Sequence, residues 1–495
     1  MDLEYGLISL LPPLLAIILA ISTRQVYLSL LAGIGAGWLI LEDFNIWQGF
    51  LSTLDALVEV FADAGNTRTI MFGALVGALI MLIQRSGGVA GFIFWVEKQL
   101  EKLPDQKGSK SKWVQTAAWF SGIIVFVESS ISVLTVGTLF RPLFDRLKIS
   151  REKLAYIADS SSAPTCILIP FNAWGAFIMG LLLTQGFEDP FQTLISSLPY
   201  NFYPILALLF VPVVIWTGWN VGPMKAAEER VQSTGALLNE GATPMMSEDL
   251  TETAPKKGIP HRAFNMVLPL AAMVICMPLM LAYTGWESVL SDRADAAFLD
   301  QFLYAIGQGS GSTAVLTAVS LAIIFSFLLY KGQGILRIRK MMDLSLKGIS
   351  GMLPLALLML MAFAISTVCR ELNTGQYVAF VAEQWLSPSL VPFIVFLVSC
   401  FIAFSTGTSW GTFAIMIAIA IPMAQQMGVS PIITLAAALG GGIFGDHCSP
   451  ISDTTILSSM ASATDHIDHV RTQIPYALTI GIIASLMYLI MGFTF

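Results

Sequence analysis

The chain has 495 residues, of which 55% are hydrophobic and only 12% are charged. Soluble domains carry about 25% charged residues, so this composition, with a mean hydropathy of +0.74, excludes a soluble protein and predicts an all-α polytopic membrane protein. The net charge is −7, and we expect the lipid bilayer rather than nucleic acid as the partner. The five cysteines lack metal-ligand spacing, so we expect no disulfide framework and no transition metal. Residues 1–5 lack the basic region of a signal peptide, so the first apolar run is expected to be retained.

Apolar runs long enough to cross a bilayer as helices follow one another along the chain. They lie near 7–22, 26–41, 69–84, 152–182, 202–219, 265–284, 313–330, 351–369, 429–463 and 474–493. Two further long runs, 115–140 and 391–424, carry polar residues at their centres. Polar backbone at membrane depth must be covered by protein or line a watery cavity, so these two runs need a different interpretation.

The distribution of Lys and Arg indicates what these two runs are, because cytoplasmic loops collect basic residues. The loops on both sides of 115–140 are rich in Lys and Arg, whereas the segments beside 391–424 contain none. We therefore predict two re-entrant hairpins, the first entering from inside and the second from outside. With this topology all of the 26 Lys and Arg residues except Arg68, Arg293 and Arg370 lie inside, and both termini are external.

The same succession of elements occurs in both halves of the chain, which predicts two inverted repeats, 1–219 and 263–495. Each repeat contains five transmembrane helices plus one re-entrant hairpin. In each, a long span (152–182 and 429–463) is interrupted by a polar stretch that contains a proline. Inverted repeats whose interrupted helices meet in mid-membrane are typical of secondary transporters.

Three segments outside the spans also have a predicted role. Residues 220–262 mix charge, Pro and Gly without an apolar run, which predicts a cytoplasmic linker that is partly disordered. The segments 88–104 and 375–386 are predicted to be interfacial helices.

The interrupted spans and hairpin tips supply oxygen ligands suited to a small cation. Pro164 and Pro450 are predicted to end one half of each interrupted span, which frees backbone carbonyls. With one hairpin tip facing one break, twice over, the chain would form two Na+ sites related by pseudo-symmetry. The residues predicted to bind the ion or to couple it to protons are Asp159, Ser129, Ser130, Ser161, Asp446, Asp453, Thr406, Thr408 and Ser409.

A second set of polar residues is predicted to bind a substrate or to sense pH. It consists of Glu128, Ser162, Asn172, His447, Ser449 and Thr454. Simpler roles stay open: the aspartates as helix N-caps, the hydroxyls as donors to their own backbone, and His447 as a histidine bonded to a hairpin carbonyl. His261, His466 and His469 are interpreted as solvated, and Trp174 as a packing residue.

Two other classes of protein fit the sequence less well. His447, Ser449 and Asp453 are the residue types of a serine hydrolase, but a triad is defined by geometry and not by adjacency in one short run. An enzyme is therefore not expected. A channel would use similar parts, yet interrupted helices that enter from both sides favour alternating access. The sequence contains no Gly-x-x-x-x-Gly-Lys-Ser/Thr motif, so nothing indicates ATP as the driving force.

The stretch 445–459, Gly-Asp-His-Cys-Ser-Pro-Ile-Ser-Asp-Thr-Thr-Ile-Leu-Ser-Ser, resembles the hallmark of the NhaC family of sodium/proton antiporters. Residues 126–130 and 159–164 are also similar to that family, and the resemblance covers most of the chain outside 220–262. It implies the ion-transporter superfamily, in which a scaffold domain pairs with a transport domain of two hairpins and two interrupted helices. Homodimers and an elevator mechanism are implied as well.

The function expected from this resemblance is Na+/H+ antiport across the inner or plasma membrane, with Na+ and H+ as coupling ions and no covalent cofactor. The alternative is Na+-coupled transport of a small organic solute such as an amino acid, an amine or a carboxylate. Asn172, Trp174 and Trp410 favour the alternative slightly, because a bare cation does not need such groups.

Overall fold

A computed structural model describes residues 5–23, 25–101, 109–126, 128–244, 261–294 and 296–494. The secondary structure in these ranges is helical, without strands, which confirms the predicted all-α class. Among the described residues, seven helices are long and apolar enough to cross a membrane: Gly6–Thr23, Ala64–Arg85, Phe264–Ser291, Gly311–Gly332, Leu353–Glu371, Pro388–Thr406 and His466–Thr494. Three bent helix pairs pass the same criterion, namely Arg151–Leu168 with Ala173–Thr184, Pro190–Tyr200 with Phe202–Thr217, and Pro431–Cys448 with Asp453–Ser462.

The helices are numbered in chain order. The first half contains α1 (Leu11–Thr23), α2 (Val26–Leu41), α3 (Ile46–Glu59), α4 (Ala64–Arg85), α5 (Gly88–Glu101), α6 (Ser109–Ile124), α7 (Ser129–Arg146), α8 (Arg151–Ser160), α9 (Ala163–Leu168), α10 (Ala173–Thr184), α11 (Pro190–Ser197) and α12 (Phe202–Thr217). They are followed by α13 (Pro223–Thr234), α14 (Phe264–Asp292), α15 (Phe298–Gly307), α16 (Gly311–Gly332), α17 (Ile338–Gly351), α18 (Leu353–Glu371), α19 (Thr374–Ala382), α20 (Val391–Thr406), α21 (Ser409–Gln426), α22 (Pro431–Cys448), α23 (Asp453–Ser462) and α24 (His466–Thr494). Helices α5 and α19 occupy the predicted interfacial segments; residues 102–104 lie outside the described ranges.

The first hairpin consists of α6 and α7, which fold back on each other. The hydroxyl of Ser132 donates a hydrogen bond across the turn to the carbonyl of Gly122 at 3.0 Å. At the other ends of the two helices, Lys110 and Lys148 line one cavity of about 900 Å³. The chain therefore enters and leaves this hairpin at the same face. Both helices extend beyond the predicted limits of 115–140, because the flanking Lys and Arg residues are good helix formers.

The second hairpin consists of α20 and α21, joined at Gly407 and Thr408. Gly407 has a φ of +68°, a left-handed conformation that glycine adopts without strain. A Cβ at this position would also lie 2.6 Å from the carbonyl oxygen of Ile451. The tip of this hairpin therefore touches the break in the second interrupted span, and only glycine satisfies both conditions.

The two interrupted spans are α8–α9–α10 and α22–α23. The second bends by 43° at a break that contains Pro450, as predicted. In the first, the predicted break lies between α8 and α9, but the 42° bend comes later, between Leu168 and Ala173. Pro164 does not end α8 as predicted; it stands in the first turn of α9, where its missing N–H has no helical partner to lose.

Part of the predicted linker forms helix α13. Glu228 on this helix is only 6% exposed and accepts hydrogen bonds from the backbone N–H and the hydroxyl of Ser150, at 2.9 and 2.6 Å. Residues 245–260 lie outside the described ranges. The buried apolar positions that hold α13 are Met224, Ala227 and Val231.

The packing between the two halves is reciprocal. Helix α7 contacts α23 and α21 contacts α10, while α24 contacts α8 and α12 contacts α22. Each interrupted span thus contacts helices of both halves. This arrangement brings the polar breaks of both spans together inside the molecule.

Candidate functional site

Asp159 and Asp446 occupy matching places in the two interrupted spans. Each lies in the last turn of its helix, α8 or α22, and they are only 0% and 2% exposed. The C-terminal end of a helix carries partial negative charge, so a carboxylate is unfavourable there unless a cation joins it. Within the part of the chain that the structure describes, Oδ1 of both residues is buried without a hydrogen-bond partner. Both positions are therefore suited to hold a cation.

The second hairpin completes the surroundings of Asp446. The hydroxyl of Ser409 donates to Asp446 Oδ2 at 2.8 Å, and that of Ser449 donates to the carbonyl of Phe404 at 2.7 Å. Thr408 lines a small cavity beside this tip together with Thr406. The hydroxyl of Thr406 itself donates to Ile402 O in its own helix at 2.8 Å. The tip of the second hairpin thus lies against the second break.

The surroundings of Asp159 differ from the prediction. Its Oδ2 accepts hydrogen bonds from Gln473 Nε2 at 2.7 Å and from the hydroxyl of Thr455 at 3.2 Å. These partners come from α24 and α23, not from the tip of the first hairpin. In the described part of the chain, the recorded partners of this carboxylate are thus neutral groups.

The tip of the first hairpin is organised around Glu128. Its carboxylate caps α7 by accepting a hydrogen bond from the backbone N–H of Ile131 at 3.0 Å. The hydroxyls of Ser129 and Ser130 also donate to it, at 3.4 and 3.1 Å. The two serine hydroxyls therefore bond to Glu128 and not to Asp159, because the Glu128 carboxylate at the N-cap position is the nearest acceptor.

Asp453 is not a helix N-cap. The cap of α23 is Ser452, whose side chain accepts the backbone N–H of Thr455, whereas Asp453 is the first helical residue and keeps an exposed side chain. Asp453 lies close enough to Glu128 and Asp446 to act on both electrostatically. Asp159 acts on Asp446 and Asp453 in the same way. The four predicted acids are therefore linked electrostatically, and they are called the acid cluster below.

Several predicted ligands bond to nearby groups of their own chain segment. The hydroxyls of Ser161 and Ser162 donate to the carbonyls of Ile157 and Asp159 at 2.7 and 2.9 Å. The hydroxyl of Thr454 pairs with that of Ser452 at 3.1 Å. These contacts match the backbone-bonding alternative for Ser161 and Ser162.

Asn172 has its polar atoms occupied. Its Oδ1 accepts the first N–H groups of α10 at 2.9 and 3.1 Å. Its Nδ2 donates to the carbonyls of Phe126 and Cys166 at 3.0 and 2.8 Å. The geometry therefore favours a capping role over the predicted substrate contact. Trp174 packs against Trp410, with ring centroids 4.7 Å apart.

His447 joins the two interrupted spans. Its Nε2 lies 3.1 Å from the hydroxyl of Ser160, and its Nδ1 lies 2.7 Å from that of Tyr203. Both ring nitrogens are paired with hydroxyl groups and not with a hairpin carbonyl. His447 is 2% exposed, so a bridging role accounts for its polar atoms.

The interpretation of His469 as solvated is wrong. It is 0% exposed and contacts Gln473 and the hydroxyl of Ser459, both at 2.9 Å. Sequence reasoning also missed Gln473 and Thr455 as partners of Asp159. The available signal was the spacing of His466, His469 and Gln473, three and four residues apart at the start of an apolar helix, which places them on one face.

The geometry can now be compared with known proteins. A profile described as the Na+/H+ antiporter family matches residues 176–493. An uncharacterised protein of Haemophilus influenzae is 33% identical, over 100% of this chain and 92% of that protein. The malate-2H(+)/Na(+)-lactate antiporter of Bacillus subtilis is 29% identical over 23% of this chain and 24% of its own length.

Among solved structures, the YdaH transporter of Alcanivorax borkumensis has a similar fold. The TM-score is 0.58 at 13% sequence identity, over 90% of this chain and 89% of that one. This likeness concerns the fold alone. Together with the spans, the family match identifies a multi-pass membrane transporter and not an enzyme. The chain belongs to the Na+/H+ antiporter family.

Proposed function

We propose that the protein is a secondary transporter that exchanges Na+ for protons across the cell membrane. The observation that carries this proposal is the pair of buried aspartates at helix C-termini, each with an unpaired carboxylate oxygen. The negative end of a helix favours a cation at each position. A proton on or beside the same carboxylate also compensates its charge, so Na+ and H+ compete for each site.

The Na+ ligands in this proposal come from the acid cluster. Asp446 and Ser409 form one Na+ site, and Asp159 and Thr455 form the other. Asp453, the exposed acid, provides the approach to them. Thr408 lies at the tip beside Asp446 and is included as a further oxygen ligand.

The proposed transport cycle is alternating access. Reciprocal packing of the two halves supports inverted repeats at 1–219 and 263–495, with a cytoplasmic linker and external termini. In an elevator motion the two hairpins and the two interrupted spans would move as one body. The family resemblance adds a homodimer held by the remaining helices.

The test uses purified protein in liposomes with an imposed Na+ gradient and no organic solute. A pH dye inside should report proton movement opposite to Na+. Asp159→Asn and Asp446→Asn should each reduce the exchange rate at least about tenfold, because each change removes the negative charge that holds the cation. A tenfold change corresponds to about 1.4 kcal/mol. Asp300→Asn, at an exposed position, is the matched control. Normal exchange by both site variants would remove these aspartates from the mechanism.

A second function, Na+-coupled transport of an organic solute, has one observation in its favour. A cavity of about 370 Å³ is lined by Arg370 together with Glu59, Asp63 and Glu371. Groups of both charges would suit a solute that carries a carboxylate and an amine. In this case the same liposomes would show no pH change until a solute is added.

A further inference from the structure

A chain of hydrogen bonds leads from Asp159 along α24 towards the surface. Gln473 Nε2 donates to Asp159 Oδ2 at 2.7 Å and to the carbonyl of His447 at 2.6 Å. Both of these partners can only accept, which fixes the orientation of the amide. Gln473 Oε1 therefore faces His469 Nε2, at 2.9 Å. Because this oxygen can only accept, His469 Nε2 must carry a hydrogen.

The other end of this series of hydrogen bonds is His466. Its Nε2 lies 2.6 Å from the carbonyl of Pro450, which can only accept, so this nitrogen also carries a hydrogen. A neutral imidazole has a single N–H. In their neutral forms, both His466 and His469 therefore have an Nδ1 that needs a donor.

Both Nδ1 atoms face the same hydroxyl. Ser459 Oγ lies 2.9 Å from His469 Nδ1 and 3.0 Å from His466 Nδ1. Ser459 Oγ also lies 2.9 Å from the carbonyl oxygen of Thr455, a third acceptor. A serine hydroxyl has one hydrogen to donate, so the neutral pair leaves at least one nitrogen unpaired. Adding one proton pairs both nitrogens, because the charged imidazole donates to Ser459 and Ser459 then donates to the other imidazole.

We infer that His466, Ser459 and His469 hold one exchangeable proton, and that this proton is the one exchanged for Na+ at Asp159. This inference rests on the proposed function and names the groups that carry the proton. The three residues are called the histidine relay below.

Proton transfer along the histidine relay needs no other reactant. A proton bound to His466 Nδ1 passes to Ser459 Oγ while the hydroxyl proton passes to His469 Nδ1. His466 then returns to its neutral form and His469 becomes the cation. His466 is half-buried and His469 is fully buried, so the transfer carries charge from near the surface to the interior.

The cation on His469 and a Na+ ion at Asp159 exclude each other. Only the amide of Gln473 separates His469 from Asp159, and like charges at such short range repel strongly in a protein interior. A buried carboxylate needs one compensating positive charge. Either Na+ or the relay proton can supply it, which is the condition for exchange.

The surroundings of the histidine relay favour protons at its outer end. Burial raises the pKa of Asp465, but hydrogen bonds from the backbone N–H groups of Thr243, Asp468 and Ile467 outweigh this and lower it overall. Asp465 therefore stays ionised beside His466. The charged groups and histidines on the elements around the relay are Arg141, Asp145 and Arg146 on α7, Arg151, Glu152, Lys153 and Asp159 on α8, Lys225, Glu228, Glu229 and Arg230 on α13, Asp446 and His447 on α22, Asp453 on α23, and Asp465, Asp468 and Arg471 at the start of α24.

Ser459→Ala tests the inference, because it removes the bridging hydroxyl and leaves both histidines. The measurement is the Na+ concentration for half-maximal transport in proteoliposomes between about pH 6 and pH 8. In the wild type we expect it to rise roughly tenfold as the pH falls by one unit through the titration of the relay. In Ser459→Ala we expect a rise below about threefold, because His469 no longer receives the proton.

Two variants control for structure. Ser458→Ala removes a neighbouring hydroxyl that donates only within its own helix, to Thr454 O at 2.7 Å, and should keep the wild-type pH dependence. Ser459→Thr restores a hydroxyl and should restore that dependence. Isotope-labelled histidine should show, by NMR, that His466 and His469 take up one proton together in the wild type and titrate independently in Ser459→Ala.

The outcomes separate this inference from the proposed function. If the wild type exchanges Na+ for protons and Ser459→Ala keeps its full pH dependence, the histidine relay is wrong while antiport stands. If the wild type moves no protons on a Na+ gradient, antiport fails and the relay fails as its proton carrier. Loss of pH dependence in Ser459→Ala but not in Ser458→Ala supports both.

Discussion

The position of Asp446 is unfavourable for a negative charge for two reasons. It stands in the last turn of α22, where the helix field disfavours a negative charge, and it has only one hydrogen-bond donor in the second hairpin, Ser409. Its second oxygen is buried without a partner. A cation would relieve both costs at once, so binding of Na+ should be coupled to the position of the second hairpin.

Ser409→Ala should weaken Na+ binding without abolishing transport. The change removes one hydrogen bond to a charged group, which contributes about 1.5–3 kcal/mol. We therefore expect the Na+ concentration for half-maximal transport to rise by roughly tenfold or more. Thr412→Val is the matched control, because the hydroxyl of Thr412 donates only to Thr408 O, at 2.9 Å. An equal effect of both changes would contradict a direct role for Ser409.

The acids of the site could be predicted from the sequence, but their partners could not. Asp159 and Asp446 stand out because ionisable residues within apolar runs are costly and tend to be functional. Gln473 and Thr455 are ordinary in composition and lie about three hundred positions from Asp159 in sequence. Their roles depend on how α23 and α24 pack onto α8, and a local pattern carries no information about that packing.

At the scale of elements, short helices decide how the breaks are held. The sequence predicts both hairpins and both interrupted spans, because polar groups inside long apolar runs mark them. The bend at 169–172 escapes prediction, since the sequence suggests a substrate contact for Asn172, whereas the residue serves as a cap. Helix α13 also escapes, because its few buried apolar positions are dispersed among charged residues.

Glu228→Gln should loosen the contact between α13 and α8. The Glu228 carboxylate is buried and accepts two hydrogen bonds from Ser150, the N-cap of α8. Bonds to a charged acceptor contribute about 1.5–3 kcal/mol, so the melting temperature of the purified protein should fall by several degrees, roughly 2 °C or more for each kcal/mol.

Glu229→Gln provides the comparison, because the neighbouring residue is exposed. Its carboxylate lies 3.8 Å from Lys225 in a surface pair, and such pairs contribute less than about 1 kcal/mol. Its melting temperature should match that of the wild type. Equal melting temperatures for all three proteins would show that α13 does not stabilise α8.

At the scale of the whole molecule, the first hairpin fixes the relation between the two halves. Lys110 and Lys148 lie at one cavity, so the chain returns to the face from which it entered. If this face lies on one side of the bilayer, the hairpin adds no net crossing. The five predicted spans of the first half then carry the chain across the bilayer an odd number of times. The second half then starts on the opposite side, and the acid cluster can open to either side in turn.

Cysteine labelling of intact and inverted vesicles tests this topology. Lys98→Cys and Lys148→Cys, at exposed positions before and after the first hairpin, should react with an impermeant reagent from the same side as Ser233→Cys on α13. Asp55→Cys and Asp300→Cys, also exposed, should react from the other side, since α4 and α14 each cross once in between. Native cysteines are replaced beforehand, and each variant must retain transport. Labelling of positions 98 and 148 from opposite sides would mean that the segment from α6 to α7 makes one net crossing of the bilayer, and the inverted relation that alternating access requires would be lost.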